Sequence, residues 1–326
     1  MSFNSVTSLL VILFSFLITA ITLRLIIPPL KRTARQPIYT EGPSWHKAKE
    51  GTPTMGGLAF LVGISICLSL CIVFLWHTDE RKSALALLYT LVYCLINSLV
   101  GVTDDLCKLR RKKNAGLTPL QKLVLQIASS VGFVIVLKHS GIVSTELSFS
   151  FGAVDIGWFY YPIALVFLVG ITNCANLTDG IDGLAGSVAA TVGCALLLIY
   201  RASSVTTSLV GAALFGGSVA FLIYNIYPAG IFMGDTGSLL LGSLVASAGI
   251  ILGNPFILLL FGGVYVIEGV SVILQVLVYK LSGKRLFKMA PIHHHLEKCG
   301  FDECKICMCA SLLTLALSVL ASIFFT

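Results

Sequence analysis

A chain of 326 residues that is 56% hydrophobic and 11% charged, with a mean hydropathy of +0.94, has too few polar side chains to cover a soluble globule. Its net charge of +7 reads, in so apolar a chain, as topology bias and attraction to anionic headgroups or phosphates, and it argues against nucleic acid as the partner.

Apolar runs of roughly 20 residues, long enough to cross a bilayer as helices, fall near 6 to 27, 54 to 76, 83 to 103, 119 to 138, 158 to 175, 184 to 200, 205 to 224, 237 to 252, 255 to 279 and 305 to 325. The sequence therefore predicts an all-α polytopic membrane protein of about ten transmembrane helices, forming one integral-membrane domain over residues 1–326. The sixth and eighth runs are short and need support from their neighbours. No basic residue precedes the first run, whereas Arg24, Lys31, Arg32 and Arg35 lie at its far end; a secretory signal has the opposite polarity. The N-terminus is accordingly expected outside. With alternation from there, the loops at 31 to 53, 104 to 122 and 280 to 305 carry 17 Lys and Arg, and the opposite loops carry 4. The first set is then cytoplasmic and both termini are external.

Along the chain, Pro28-Pro29 is expected to close the first helix, because proline cannot continue one. The loop through Lys47, Lys49 and Gly51 to Gly57 reads either as a basic surface loop with a close helix contact at the glycine pair, or as a place where Lys47 or Lys49 meets a phosphate or nucleotide. The third run carries Asn97 and ends in Asp104-Asp105. Adjacent carboxylates repel unless a cation or basic groups compensate; Lys108 can pair with Asp104 by helical spacing, which leaves Asp105 unexplained. The fourth run starts at Pro119 with Lys122 in its first turn. Beyond it, Leu147, Phe149 and Phe151 alternate with Ser148 and Ser150 ahead of Gly152, the pattern of a small external β-hairpin.

The fifth run leads into Asn173-Cys174-Ala175-Asn176-Leu177-Thr178-Asp179-Gly180-Ile181-Asp182-Gly183. Unpaired polar groups at this density cost several kcal/mol each in hydrocarbon, so the stretch belongs at a membrane surface or in a wet cleft. If its second half is helical, Asp179 and Asp182 share a face. The seventh run leads into Tyr224 to Ser238, which contains Asn225, Phe232 and Asp235. Neither loop holds a Lys or Arg, so these acids have no local partner. Asp235 alone would be a helix cap; converging acidic loops point instead to a divalent cation, because Mg²⁺ takes few carboxylates and fills its other positions with water and phosphate oxygens.

The ninth run places Glu268 within the membrane, where an ionisable residue is a functional candidate. Gly262, Gly263 and Gly269 favour a bend there, and Glu268 is expected to face a cavity together with Gln275. Three consecutive histidines, His293, His294 and His295, cannot share one helical face, which disfavours one metal bound by all three and suits hydrogen bonding to phosphate. Six of the ten cysteines lie in or beside spans as small apolar filler; Cys299, Cys304, Cys307 and Cys309 match no common zinc spacing.

Asp104-Asp105 with Lys108, Asn173 to Ala185, Phe232 to Asp235 and Pro291 to His295 resemble, in order and spacing, the polyprenyl-phosphate N-acetylhexosamine-1-phosphate transferases. The Gly51 to Gly57 stretch and the unbroken histidine triplet narrow the resemblance to the phospho-N-acetylmuramoyl-pentapeptide transferase family. It covers nearly the whole chain. It implies transfer of phospho-MurNAc-pentapeptide from UDP-MurNAc-pentapeptide to undecaprenyl phosphate, giving lipid I and UMP for peptidoglycan, in a bacterial cell membrane with a cytoplasmic active site and Mg²⁺ as cofactor. By motif, Asp235 is the implied metal ligand, Asp104, Asp105 and His294 are implied in catalysis, and Lys108 and Lys122 in binding phosphate. Lys49, Asp179, Gly180, Asp182, Asn225 and Phe232 form the implied nucleotide pocket, with Phe232 stacking on uracil. Thr54, Asn173, Asn176, Gln275, His293 and His295 complete the implied substrate contacts. Uridine-containing nucleoside inhibitors are expected to compete there, and a homodimer is among the assemblies the resemblance admits. The nearest alternative keeps the fold and uses UDP-N-acetylglucosamine as donor; a secondary transporter using Glu268 at the midplane requires an inverted repeat that the sequence lacks.

Overall fold

The computed structural model describes residues 5–34, 49, 51–111, 116–201 and 203–325; Arg35, Lys47, Lys112 and Lys113 of the basic loops lie outside the described residues. Among those described, nine helices are long and apolar enough to cross a membrane, and the shorter Leu184–Tyr200 makes a tenth apolar helix. All α-helices among the described residues are, in order, α1 (Ser5–Thr33), α2 (Gly57–His77), α3 (Arg81–Arg111), α4 (Pro119–His139), α5 (Tyr160–Thr178), α6 (Leu184–Tyr200), α7 (Val205–Asn225), α8 (Gly234–Ile251), the single-turn α9 (Leu258–Phe261) with α10 (Gly263–Ser282), the short α11 (Ile292–Lys298) and α12 (Glu303–Phe325).

Burial sets the layering. The apolar window of α8 is 83% buried, against 22% for α1 and α12, so α8 is the central post and α1 and α12 present apolar surface to lipid. Small residues let α8 sit there: a Cβ added at Gly57 would collide with the Gly237 backbone, and one at Gly101 with the carbonyl of Asp235. The same close approach at Gly193 and Gly211 joins α6 to α7, giving the shortest span the tight backbone contact that stabilises helix pairs in membranes.

One expectation needs correction, and two spans are filled in beyond their apolar runs. The first helix runs on through Pro28 and Pro29 to Thr33; the Thr33 hydroxyl takes the Pro29 carbonyl at 3.0 Å and the chain stays helical past the missing donors. The third helix continues beyond the apolar run to Arg111, which keeps Asp104, Asp105 and Lys108 on regular helix. The ninth span is broken at Gly262, where Pro255–Ile257 and α9 give way to α10, as the glycines foreshadow. The hairpin forms as expected: β1 (Glu146–Phe149) pairs antiparallel with β2 (Gly152–Asp155), Phe149 opposite Gly152. It is tied down by Ser150 N–H to the Phe324 carbonyl and by the Asn254 side chain to the Ser148 carbonyl.

Candidate active site

The ends of α3, α5, α7 and α10 and the starts of α4, α6, α8, α11 and α12 lie on one side of the bundle, and there the polar motifs meet. Asp105 organises the centre. Its Oδ1 accepts the Asp235 N–H at 3.1 Å, and its Oδ2 accepts both the Thr236 N–H at 3.0 Å and the Thr236 hydroxyl at 2.7 Å. A carboxylate thus caps the N-terminus of α8 from another helix, satisfying donors that have no intrahelical partner and matching the positive end of the helix dipole. The second carboxylate of the Asp104-Asp105 pair, unexplained by local pairing, has this as its structural role.

Asp104 is fully buried. Its oxygens meet Lys108 at 2.7 Å, Lys122 at 3.0 Å and the Leu117 N–H at 2.7 Å. Lys108 also reaches Asp235 at 3.0 Å, and Lys122 makes a short contact with the other Asp235 oxygen. Lys122 is brought in by the start of α4, where Thr118 and Gln121 form a reciprocal capping box ahead of Pro119. Ligand atoms of Asp104, Asp105 and Asp235 lie within 4.8 Å of one another. Three hard oxygen donors at this separation suit a divalent cation of the Mg²⁺ type.

The turn after α5 supplies a second polar group. Residues 179–183 are not helical, so Asp179 and Asp182 do not share a helix face, and the turn sends them different ways. Asp179 faces the first cluster: burial, then the negative charges of Asp235 and Asp105, push its carboxyl up to about 7 against a hydrogen bond from the Gly234 N–H. Asp182 turns instead to Lys49 at 2.8 Å and the Ala229 N–H at 2.9 Å. Glu303, the first residue of α12, takes Lys49 at 2.7 Å and the Asp182 N–H at 2.7 Å. Burial works against the Lys49 ammonium, yet the hydrogen bonds to Asp182 and Glu303 outweigh it and raise its pKa above the ordinary lysine value. Asn225 closes the turn, accepting from the Gly183 N–H at 3.0 Å and donating to the Ile231 carbonyl at 2.9 Å. Beside this group, Tyr227, Lys288, Lys298, Phe301 and Cys304 help line a cavity of about 1130 Å³.

Not every predicted residue converges. The Phe232 backbone is held by the Pro53 carbonyl and the Gly56 N–H, leaving its ring half-buried beside the buried Thr54 and the turn to α8. Asn176 donates to Ser238 of α8 at 2.7 Å and Asn173 to Gln126 of α4 at 2.6 Å; both tie helices together. Gln275 accepts from the Phe287 N–H at 2.8 Å and does not meet Glu268, correcting the shared cavity expected of that pair. The three histidines take three partners: His293 meets Glu268 at 3.0 Å, His294 meets Glu297 at 2.6 Å, and His295 accepts from the Lys288 N–H at 3.1 Å. Sequence reasoning missed Glu303, whose only signal is its place at the start of a span on the basic side; Thr236 gave no signal beyond ordinary capping.

This constellation of acids and lysines at the end of a polytopic helical bundle coincides with known sequence relationships. Residues 87–253 match Glycosyl transferase family 4, and residues 49–61 match signature 1 of phospho-N-acetylmuramoyl-pentapeptide-transferase; the protein is an enzyme of the phospho-sugar-transferring class. Curated relatives named phospho-N-acetylmuramoyl-pentapeptide-transferase include one from Clostridium perfringens, 43% identical over 314 residues that span 95% of this chain and 94% of the relative. Another, from Halalkalibacterium halodurans, is 41% identical over 302 residues, 91% of each, and one from Oceanobacillus iheyensis is 40% identical over 308 residues, again 91% of each. The chain belongs to the phospho-N-acetylmuramoyl-pentapeptide-transferase family.

Proposed function

We infer that this protein transfers phospho-MurNAc-pentapeptide from UDP-MurNAc-pentapeptide to undecaprenyl phosphate at the inner leaflet of a bacterial cell membrane, releasing UMP and forming lipid I for peptidoglycan. The observation that carries the reading is the meeting of Asp104, Asp105 and Asp235 with Lys108 and Lys122 at the start of α8, in a chain aligned over nine-tenths of its length with transferases of that name. The alternative donor UDP-N-acetylglucosamine draws no support from the signature at residues 49–61.

The carboxylate set fits Mg²⁺, with Asp235 as the proposed ligand. When bound, the ion supplies positive charge to the donor pyrophosphate. The chain's own groups do the rest. Bringing a lipid phosphate against a pyrophosphate gathers several negative charges, and Lys108 and Lys122 stand where they can neutralise and align them. The acceptor needs no general base, because the second pKa of a phosphate monoester is ~6 and it is largely ionised at neutral pH. Asp104, buried and already engaged by both lysines and the Leu117 N–H, is suited to orienting those cations rather than to forming an acyl phosphate, so the reaction proceeds by direct in-line attack. Lys49, Asp179, Gly180, Asp182, Asn225 and Phe232 form the nucleotide pocket. Thr54, Asn173 and Asn176 hold its walls, and Gln275, His293, His294 and His295 face the rest of the donor. Uridine-containing inhibitors compete at the nucleotide pocket.

A thin-layer assay with radiolabelled donors tests the reading. Lipid-linked product forms with UDP-MurNAc-pentapeptide and not with UDP-N-acetylglucosamine; the reverse outcome overturns the donor assignment. Incubation with the donor alone leaves no phosphate on protein, and recovery of an aspartyl-phosphate peptide would replace direct attack by a covalent route.

A further inference from the structure

Glu268 is a buried acid within a membrane span, and the mechanism above gives it no role. Burying a carboxylate is costly unless a partner compensates, and its partner comes from outside the span. Glu268 Oε2 lies 3.0 Å from His293 Nδ1 and 3.4 Å from the His293 N–H. An ionised carboxylate offers only lone pairs, so the proton between them sits on Nδ1. One acid therefore fixes both the ring and the first turn of α11.

The far side of the ring shows what is being aimed. His293 is fully buried, and among the described residues its Nε2 has no hydrogen-bond partner. It lies against Gly180, where an added Cβ would collide with Nε2. A buried ring nitrogen without a partner costs ~1–3 kcal/mol and calls for an explanation, and a ligand that completes it is one. His294 packs across the ring at 4.2 Å between centroids but is itself turned to Glu297. Gly180 adjoins Asp179, which faces Asp105 and Asp235, so Nε2 is presented at the junction of the two polar clusters.

We propose that Glu268 is a positioning residue: from within the membrane span it accepts the Nδ1–H hydrogen bond and fixes the direction of His293, so that Nε2 is held at Gly180 for a phosphate oxygen of the donor. With a donor phosphate bound, the ring has a negative group on each side, the arrangement in which both nitrogens carry protons and donate. The inference rests on the transferase reading and deepens it. Its test is a double-mutant cycle on the full-length protein in detergent with lipid acceptor, using UDP-MurNAc-pentapeptide as donor. Glu268→Ala lowers kcat about 100-fold, the size of effect seen when one oriented donor is lost, and leaves the donor KM within about twofold. Glu268→Gln still offers an oxygen to Nδ1–H and recovers about tenfold of that loss. Glu268→Ala in a His293→Ala background costs nothing further, because Glu268 acts through the ring. The inference is overturned if the two defects multiply, if KM rises while kcat holds, or if the Gln variant is as slow as Ala. Should Glu268→Ala give no cooperative thermal transition, the same cycle built with Glu268→Gln on folded protein decides between these outcomes. Absence of wild-type turnover with this donor overturns the transferase reading and this inference with it; normal wild-type turnover with multiplying defects overturns this inference alone.

Discussion

Two acidic clusters stand side by side at the same end of the bundle, and they are built to opposite plans. Around Asp104, Asp105 and Asp235, three carboxylates from two helices approach within 4.8 Å of one another with Lys108 and Lys122 interleaved, even though Asp105 also takes the N–H groups that open α8 and Asp104 the Leu117 N–H. Around Asp182 and Glu303 the carboxylate oxygens are divided between Lys49 and main-chain N–H groups of residues 182 and 229. The first cluster holds charge ready for an incoming ion and phosphate; the second uses charge to hold a turn in shape. Counting acids cannot tell these apart, whereas the convergence of three carboxylates on one point does.

The sharpest way to break this distinction is at Asp235. Asp235→Asn lowers lipid I formation about 1000-fold or more, as removal of a metal ligand at a phosphoryl-transfer site does, and chelation of divalent cations abolishes wild-type activity in the same assay. Survival of Mg²⁺-dependent turnover in Asp235→Asn would merge the two clusters into one class. Next comes Asp105→Ala, which removes a helix cap as well as an oxygen donor. It loses activity to a similar degree and also lowers the thermal midpoint of the detergent-solubilised protein by several degrees, as expected for loss of a cap contributing ~1–2 kcal/mol.

Glu303→Gln separates the clusters from the other side. Loosening Lys49 and the Asp182 turn raises the donor KM about tenfold with kcat nearly unchanged, the signature of lost ground-state binding; a matching fall in kcat would place Glu303 with the reacting groups. The smallest effect is one of pH. Asp179 sits at about 7 against ~3.9 in an unfolded chain. Between those values the unfolded chain gives up the proton while the fold keeps it, so Asp179 lowers stability progressively as pH rises from ~4 to ~7 and by a constant amount above. Asp179→Asn therefore melts higher than wild type at pH 8 in chelator and converges with it near pH 4. Equal shifts at both pH values would sever Asp179 from the charges of Asp105 and Asp235.

Spans were legible in the sequence because a bilayer imposes length and hydropathy on every crossing helix. The acids of the site were legible because glycine-flanked carboxylates in apolar surroundings have no ordinary use. What resisted reading was the allocation of partners. Asp105 caps α8 across 130 residues of sequence, and Glu303 closes on a turn 121 residues away; no periodicity carries such a pairing. The condition for Asp179 and Asp182 to share a helical face is not met, because the turn after Thr178 is set by tertiary ties, chiefly Asn225 and Glu303, rather than by local propensity. Proline misled at Pro28-Pro29, because α1 stays helical to Thr33 even though the carbonyls of Arg24 and Leu25 lose their usual i+4 donors.

The close contact of α8 with Gly57 and Gly101 carries a consequence for drug resistance. Any side chain introduced at Gly57, Gly101 or Gly237 must push aside main-chain or core atoms, so these positions offer no cheap route for reshaping the first turn of α8. A compound that rests on the backbone of that turn would find its glycine positions closed to single-step escape.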